Sequence, residues 1–154
     1  MSTASNGKAV TSKSTFSRET SVSVNIEADA AIIWALLTNA ADFPRWNSTV
    51  ISISGKIQNG ETIELKSTLD EKRTFKLKIK EFVPNQRLVW GDPMGSRIYS
   101  LEKAGKGTQF TMSEKIGGPL FPLFASMIPS FDESFDRFAA DLKKEAETIQ
   151  RSKN

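Results

Sequence analysis

Two short segments hold the side chains best suited to chemistry. In Ser96 to Glu102, strand alternation puts Arg97, Tyr99 and Leu101 on one face; in Thr108 to Ile116 it does the same for Phe110, Met112 and Glu114. With the intervening KAGKG turning a hairpin, Tyr99 is expected near Phe110, Arg97 near Met112, and Glu114 diagonal to Arg97. Trp90, across the preceding GDPMG turn, is expected beside Arg97. A cation, a carboxylate, a phenol and an indole then share one inward face. One chemistry open to them is a polar anchor in an apolar pocket, the guanidinium holding an acceptor oxygen and Tyr99 donating while the aromatics bury the rest of a ligand. Another is acid–base work, with Arg97 and Tyr99 polarising a carbonyl and Glu114, its pKa raised by burial, shuttling a proton. A third reading needs no ligand. A buried ion pair with stacked rings would use the same residues, and removing one partner would cost about 3–5 kcal/mol.

The residue types that are missing narrow the field further. The 154 residues contain no histidine and no cysteine, which removes Ser-His-Asp and Cys-His nucleophiles, thiolate and imidazole metal ligands, and disulfides. The net charge of +3 comes from lysines and arginines interleaved with acids, so no nucleic-acid footprint is expected. Phosphate-loop, dinucleotide and calcium-loop patterns are absent, and neither a cofactor nor a metal is expected. No apolar run approaches the ~20 residues of a membrane-spanning helix; a cytoplasmic location is the expectation.

The element that must position these side chains is Ser130 to Arg151. Its apolar residues Phe131, Phe135, Phe138, Leu142, Ala146 and Ile149 follow the spacing of a helix with one buried stripe. Ser130 and Glu133 form a capping-box pattern at its start, after Pro129. Residues 1–14, poor in apolar side chains, read as a disordered tail, and 15–151 as a single domain. From Phe16 the alternation of Val22, Val24 and Ile26 predicts a strand, and Ala30 to Thr38 a short helix. The ADFPRW segment then predicts a further helical turn, where Asp42 and Arg45 read as surface and Trp46 as packing. Six strands follow: Thr49–Ser54, Glu61–Thr68, Thr74–Val83, Arg87–Trp90, Ser96–Glu102 and Thr108–Ile116. The turns between them include Gln58-Asn59-Gly60 and Leu69-Asp70-Glu71-Lys72, and Phe82-Val83 shifts phase as a bulge would. Glu64 and the row Lys76, Lys78 and Lys80 are expected to face solvent. Gly117 to Pro129, with six large apolar side chains and no charge, reads as a kinked first part of the long helix, or as a lid hinged at Gly117-Gly118.

This order, with DAAIIWALLTNAADFPRW early, RLVW in the middle, GSRIYSLE followed by GTQFTMSEKIGG, and a closing helix, resembles the SRPBCC or START-like helix-grip superfamily, and within it the polyketide cyclase/dehydrase-like branch. The resemblance spans about Thr20 to Ile149. It implies an α+β helix-grip fold, in which a curved antiparallel sheet of about seven strands wraps a long C-terminal helix, with two short helices after the first strand. It also implies an apolar cavity between sheet and helix that takes a small hydrophobic molecule such as a lipid, polyketide or aromatic metabolite. The candidate lining is Trp34, Trp46, Trp90, Arg97, Tyr99, Met112, Glu114, Phe124, Phe131 and Phe135, and the catalytic candidates are Arg97, Tyr99 and Glu114. Three functions are carried forward: ligand binding, a metal-free enzyme of cyclase, dehydratase or isomerase type, and a protein-interaction module like a chaperone cofactor.

Overall fold

A computed structural model describes residues 6–153. Eight strands form one antiparallel sheet: β1 (Val10–Lys13), β2 (Ser17–Ile26), β3 (Val50–Ser54), β4 (Thr62–Ser67), β5 (Asp70–Val83), β6 (Arg87–Asp92), β7 (Gly95–Ala104) and β8 (Gly107–Gly117), in the order β1-β2-β8-β7-β6-β5-β4-β3. Between β2 and β3 come α1 (Ala30–Thr38), a 3₁₀ turn (Ala40–Asp42) and α2 (Phe43–Trp46); after β8 come α3 (Phe121–Phe124), a second 3₁₀ turn (Ala125–Met127) and α4 (Asp132–Ser152). The sheet curves around α4, whose apolar stripe packs against β2, α1 and α2. This is the helix-grip architecture. Phe135, Phe138, Leu142 and Ala146 are fully buried, as the helical spacing predicts; Ala139, outside the predicted stripe, is buried with them, and Ile149 is half-buried.

Several local expectations are corrected. The tail expected over 1–14 contains strand β1, which pairs with β2 from Val10↔Ser21 to Lys13↔Arg18 and makes the sheet eight-stranded; residues 1–5 lie outside the described residues. Main-chain pairing and polar tethers hold β1 in place. The Ala9 N–H donates to Asp136 Oδ1 at 2.6 Å, and the Thr11 hydroxyl donates to Asp132, so hydrophobic periodicity could not register the strand. The capping box is not formed. Phe131, drawn inward to stack on Phe135, sets the start of α4 at Asp132, and Ser130 Oγ accepts only the Asp132 N–H, at 3.3 Å. β5 begins at Asp70 where a turn was expected, because Ser67↔Asp70 pairing closes the connection in two residues. The bulge in β5 falls between Ile79 and Glu81, slightly before Phe82. Gly117 to Pro129 is no part of the long helix. Gly118 at φ +138° turns the chain away from β8, and the prolines restrict the segment beyond it to two short helical turns.

Candidate functional site

Strand alternation and cross-strand register build the site. On β8, Met112 and Glu114 face inward; β7 sets Tyr99 across from Met112 and Arg97 across from Glu114, and β6 sets Trp90 across from Arg97. The β7–β8 hairpin register is therefore shifted by two residues from the expected one, since the strands run up to the two-residue turn Gly105-Lys106. The shift moves Glu114 from a diagonal to a directly paired position. Arg97 Nε donates to Glu114 Oε1 at 2.6 Å, with the two side chains 14% and 19% exposed. The guanidinium carbon lies 5.0 Å from the centroid of the Phe135 ring, so α4 supplies a cation–π face to the same group. Burial opposes the guanidinium charge, but Glu114 and Tyr99 outweigh it and hold Arg97 above its usual pKa. Besides Glu114, the Tyr99 hydroxyl oxygen lies near enough to the guanidinium to serve as a weak second acceptor, which leaves further N–H groups of Arg97 to spare.

Tyr99 is 1% exposed, in edge contact with Trp90 at 5.0 Å between ring centroids. Its hydroxyl lies close enough to the Arg97 guanidinium to feel its charge and a weak hydrogen bond from it, though among the described residues no partner reaches well-formed hydrogen-bond geometry. Burial pushes the phenol pKa up to about 12, against the pull of Arg97. The hydroxyl is a neutral donor at ordinary pH.

Beside Arg97 a cavity of about 220 Å³ opens between strands β4 to β8 and the chain leading into α4. Its floor is buried, with Val50, Leu65 and Trp90; its rim is exposed, with Asp70, Arg73, Met94, Met127 and Pro129. Of the sequence candidates, Trp90, Arg97, Glu114 and Phe131 line it. Tyr99, Met112 and Phe135 lie behind that wall, in the core. Trp34 packs edge-on against Phe82 at 5.1 Å and Trp46 against Phe43 at 4.8 Å, both away from the cavity. Phe124 packs edge-on against Phe121 within α3. The void sits at the start of α4 because further along the stripe Phe138 stacks with Tyr99 and Phe110 and fills the concave face. Asp42 and Arg45 are joined on the surface at 2.8 Å, and Arg45 also meets Glu145 of α4.

Two arginines were missed. Arg18 is 9% exposed; it holds the carbonyls of Ile128 at 3.2 Å and Pro129 at 2.7 Å and covers the Phe131 ring at 4.9 Å. Phe131 stacks on Phe135, so Arg18, Phe131, Phe135 and Arg97 form one ladder of alternating charge and ring. Arg18 shares the phase of Val22, Val24 and Ile26, and extending that alternation backwards would have found it. Arg73 stands at the rim, 4.6 Å above the Phe75 ring, in phase with Phe75 and Leu77. Among the described residues no three side chains of metal-ligating type converge.

A sheet gripping a C-terminal helix, with an apolar void at the helix's start, defines a helix-grip protein. The chain matches the family described as polyketide cyclase/dehydrase and lipid transport over residues 17–147, and it belongs to that family. No curated protein sequence matches it. Among solved structures, a conserved protein of unknown function from Enterococcus faecalis is similar at TM-score 0.66 and 16% identity, covering 92% of this chain and 78% of that one. A START superfamily protein from Mycobacterium smegmatis is similar at TM-score 0.62 and 16% identity, covering 85% and 98%. The Aha1 dimer from Colwellia psychrerythraea is similar at TM-score 0.60 and 17% identity, covering 88% and 98%. At such identities the likeness is one of fold.

Proposed function

We infer that the protein binds a small hydrophobic molecule in the cavity, with Trp90 and Phe131 against its apolar body and Arg97 at its polar end. The observation that carries this reading is the partly filled guanidinium. Arg97 stands in the cavity wall with Nε bonded to Glu114 and N–H groups to spare, an arrangement that suits an acceptor oxygen on a ligand. A volume of about 220 Å³ suits an aromatic metabolite or a short lipid. Native mass spectrometry of the purified protein tests it: a bound small molecule in the wild type, lost in Arg97→Ala, is expected, and empty protein at every concentration of added extract would overturn it.

An enzyme of cyclase or dehydratase type would rest on the spare N–H groups of Arg97 in the cavity wall, which can polarise a carbonyl, with Tyr99 behind the wall supporting Arg97. Glu114 speaks for binding. A carboxylate already taken by a guanidinium at 2.6 Å serves as an anchor more readily than as a proton shuttle. Turnover of a candidate substrate that survives Glu114→Gln would exclude Glu114 as the base.

A protein-interaction role is favoured by the exposed side chains Leu120, Leu123 and Met127 at 63%, 77% and 79%. Such a patch is unusual in a monomer with nothing to bind. Cross-linking in a lysate, compared with Leu123→Ser, tests it. Among the described residues no helix is long and apolar enough to cross a membrane.

A further inference from the structure

We propose that the cavity selects an uncharged ligand bearing a carbonyl oxygen, and that Glu114 excludes a carboxylate from the same position. The inference rests on the binding reading above and goes on to the ligand's charge.

A lone guanidinium in an apolar pocket recruits a carboxylate, because the pair satisfies both charges. Arg97 is not alone. Its charge is matched by Glu114 across the β7–β8 ladder, with Nε on Oε1 at 2.6 Å, and its face is held over Phe135 at 5.0 Å. Neither contact leaves the guanidinium free to swing toward a second anion. What it still offers is N–H donors belonging to an ion pair that is neutral as a whole. The Tyr99 hydroxyl lies behind the cavity wall and acts on a ligand only through Arg97. The spare N–H groups of Arg97 match one carbonyl oxygen, which has two lone pairs and brings no charge.

The wall as a whole points the same way. Its charged side chains are Arg73, Arg97, Asp70, Asp92 and Glu114, two cations against three anions, so there is no cationic surplus for an acid to exploit. Asp92 is turned to the Met94 and Gly95 N–H groups at 2.9 and 3.1 Å. Arg73, exposed at the rim, is screened by water. A ligand carboxylate on Arg97 would sit next to the Glu114 carboxylate in a partly dry site, and like charges so placed repel strongly. Selectivity here comes from the repulsive element as much as from the attractive one.

Two probes of equal shape test this by isothermal titration calorimetry: 2-naphthamide, which is neutral, and 2-naphthoate, which is anionic. The wild type is expected to bind the amide about tenfold or more tightly than the acid. In Glu114→Gln, which keeps an oxygen for Arg97 Nε and removes the charge, the preference is expected to shrink or reverse. Equal or tighter binding of naphthoate by the wild type would overturn the proposal while leaving a binding cavity in place. Binding of neither probe would instead remove the binding reading and this inference with it. A folded Glu114→Gln protein with undiminished preference for the amide would overturn the role of Glu114, and the wild-type comparison decides the ligand's charge whether or not that variant folds.

Discussion

Arg97 on β7 lies directly across the ladder from Glu114 on β8, and the same guanidinium that donates to the carboxylate at 2.6 Å rests on the Phe135 ring of α4 at 5.0 Å. One side chain thereby ties the sheet to the helix at the point where packing gives way to a cavity. Removing it leaves a mostly buried carboxylate without its counter-charge. Arg97→Ala is expected to lower stability by about 3–5 kcal/mol, and the double replacement Arg97→Met with Glu114→Leu to regain most of that. Urea denaturation of the three proteins measures both.

Tyr99 is the only tyrosine in the chain, so tyrosinate absorbance reports on it alone. Its folded pKa is raised from the ordinary 10.0 to about 12 by burial. The folded state thus holds a proton that the unfolded chain gives up between those values. The associated stability is fully present below pH 10 and is lost as pH rises toward 12, about 2–3 kcal/mol in all. Tyr99→Phe should abolish that alkaline loss. At neutral pH it should leave stability unchanged or raised by about 1 kcal/mol, because the hydroxyl it removes is buried without a well-formed hydrogen bond. A tyrosinate titration with a midpoint near 10 in the folded protein would contradict this.

Arg18 reaches from β2 to the Ile128 and Pro129 carbonyls and so fastens the segment between β8 and α4. Arg18→Ala is expected to speed amide exchange across residues 118–129 by about tenfold while β7 and β8 keep their protection. Arg18→Lys, with a point charge in place of a fork, should fall between the two. Equal protection of the segment in all three proteins would show that it is held by something else.

Phe131 is 8% exposed, at the edge of the cavity, with Arg18 on one side and Phe135 stacked beside it. Phe131→Ala should cost about 3 kcal/mol, the low end for a buried phenylalanine because the new space joins one that already exists. Thermal unfolding gives the loss. Binding of 2-naphthamide by the same variant shows whether the enlarged cavity takes the probe more weakly.

What could be read from the sequence was whatever repeats. The stripe of α4 repeats at helical spacing and the strands at spacing two, so the helix, the strands after α2 and the inward placement of Trp90, Arg97, Tyr99 and Glu114 all come from periodicity. Pairing register does not repeat. It depends on where a turn closes, and the compact Gly105-Lys106 turn moved Glu114 next to Arg97. β1 was hidden because its hold is polar and main-chain. Trp34 and Trp46 share the residue type expected of a lining but pack on Phe82 and Phe43 outside the cavity wall. Arg18 was passed over for being an arginine in a phase otherwise occupied by Val22, Val24 and Ile26.

The first long strand, β2, lies between β1 and β8, and the last helix fills the hollow they help to form. A nascent chain emerging from the ribosome can pair β2 with the short β1 but leaves its other edge open until β8 has been synthesised, and the phenylalanine-rich stripe arrives later still. Assembly of this kind closes long loops before it gains much contact, which makes it slow and leaves unpaired strand edges open to other chains in the meantime. Fragments ending before Phe135 are expected to aggregate rather than to fold as shorter domains.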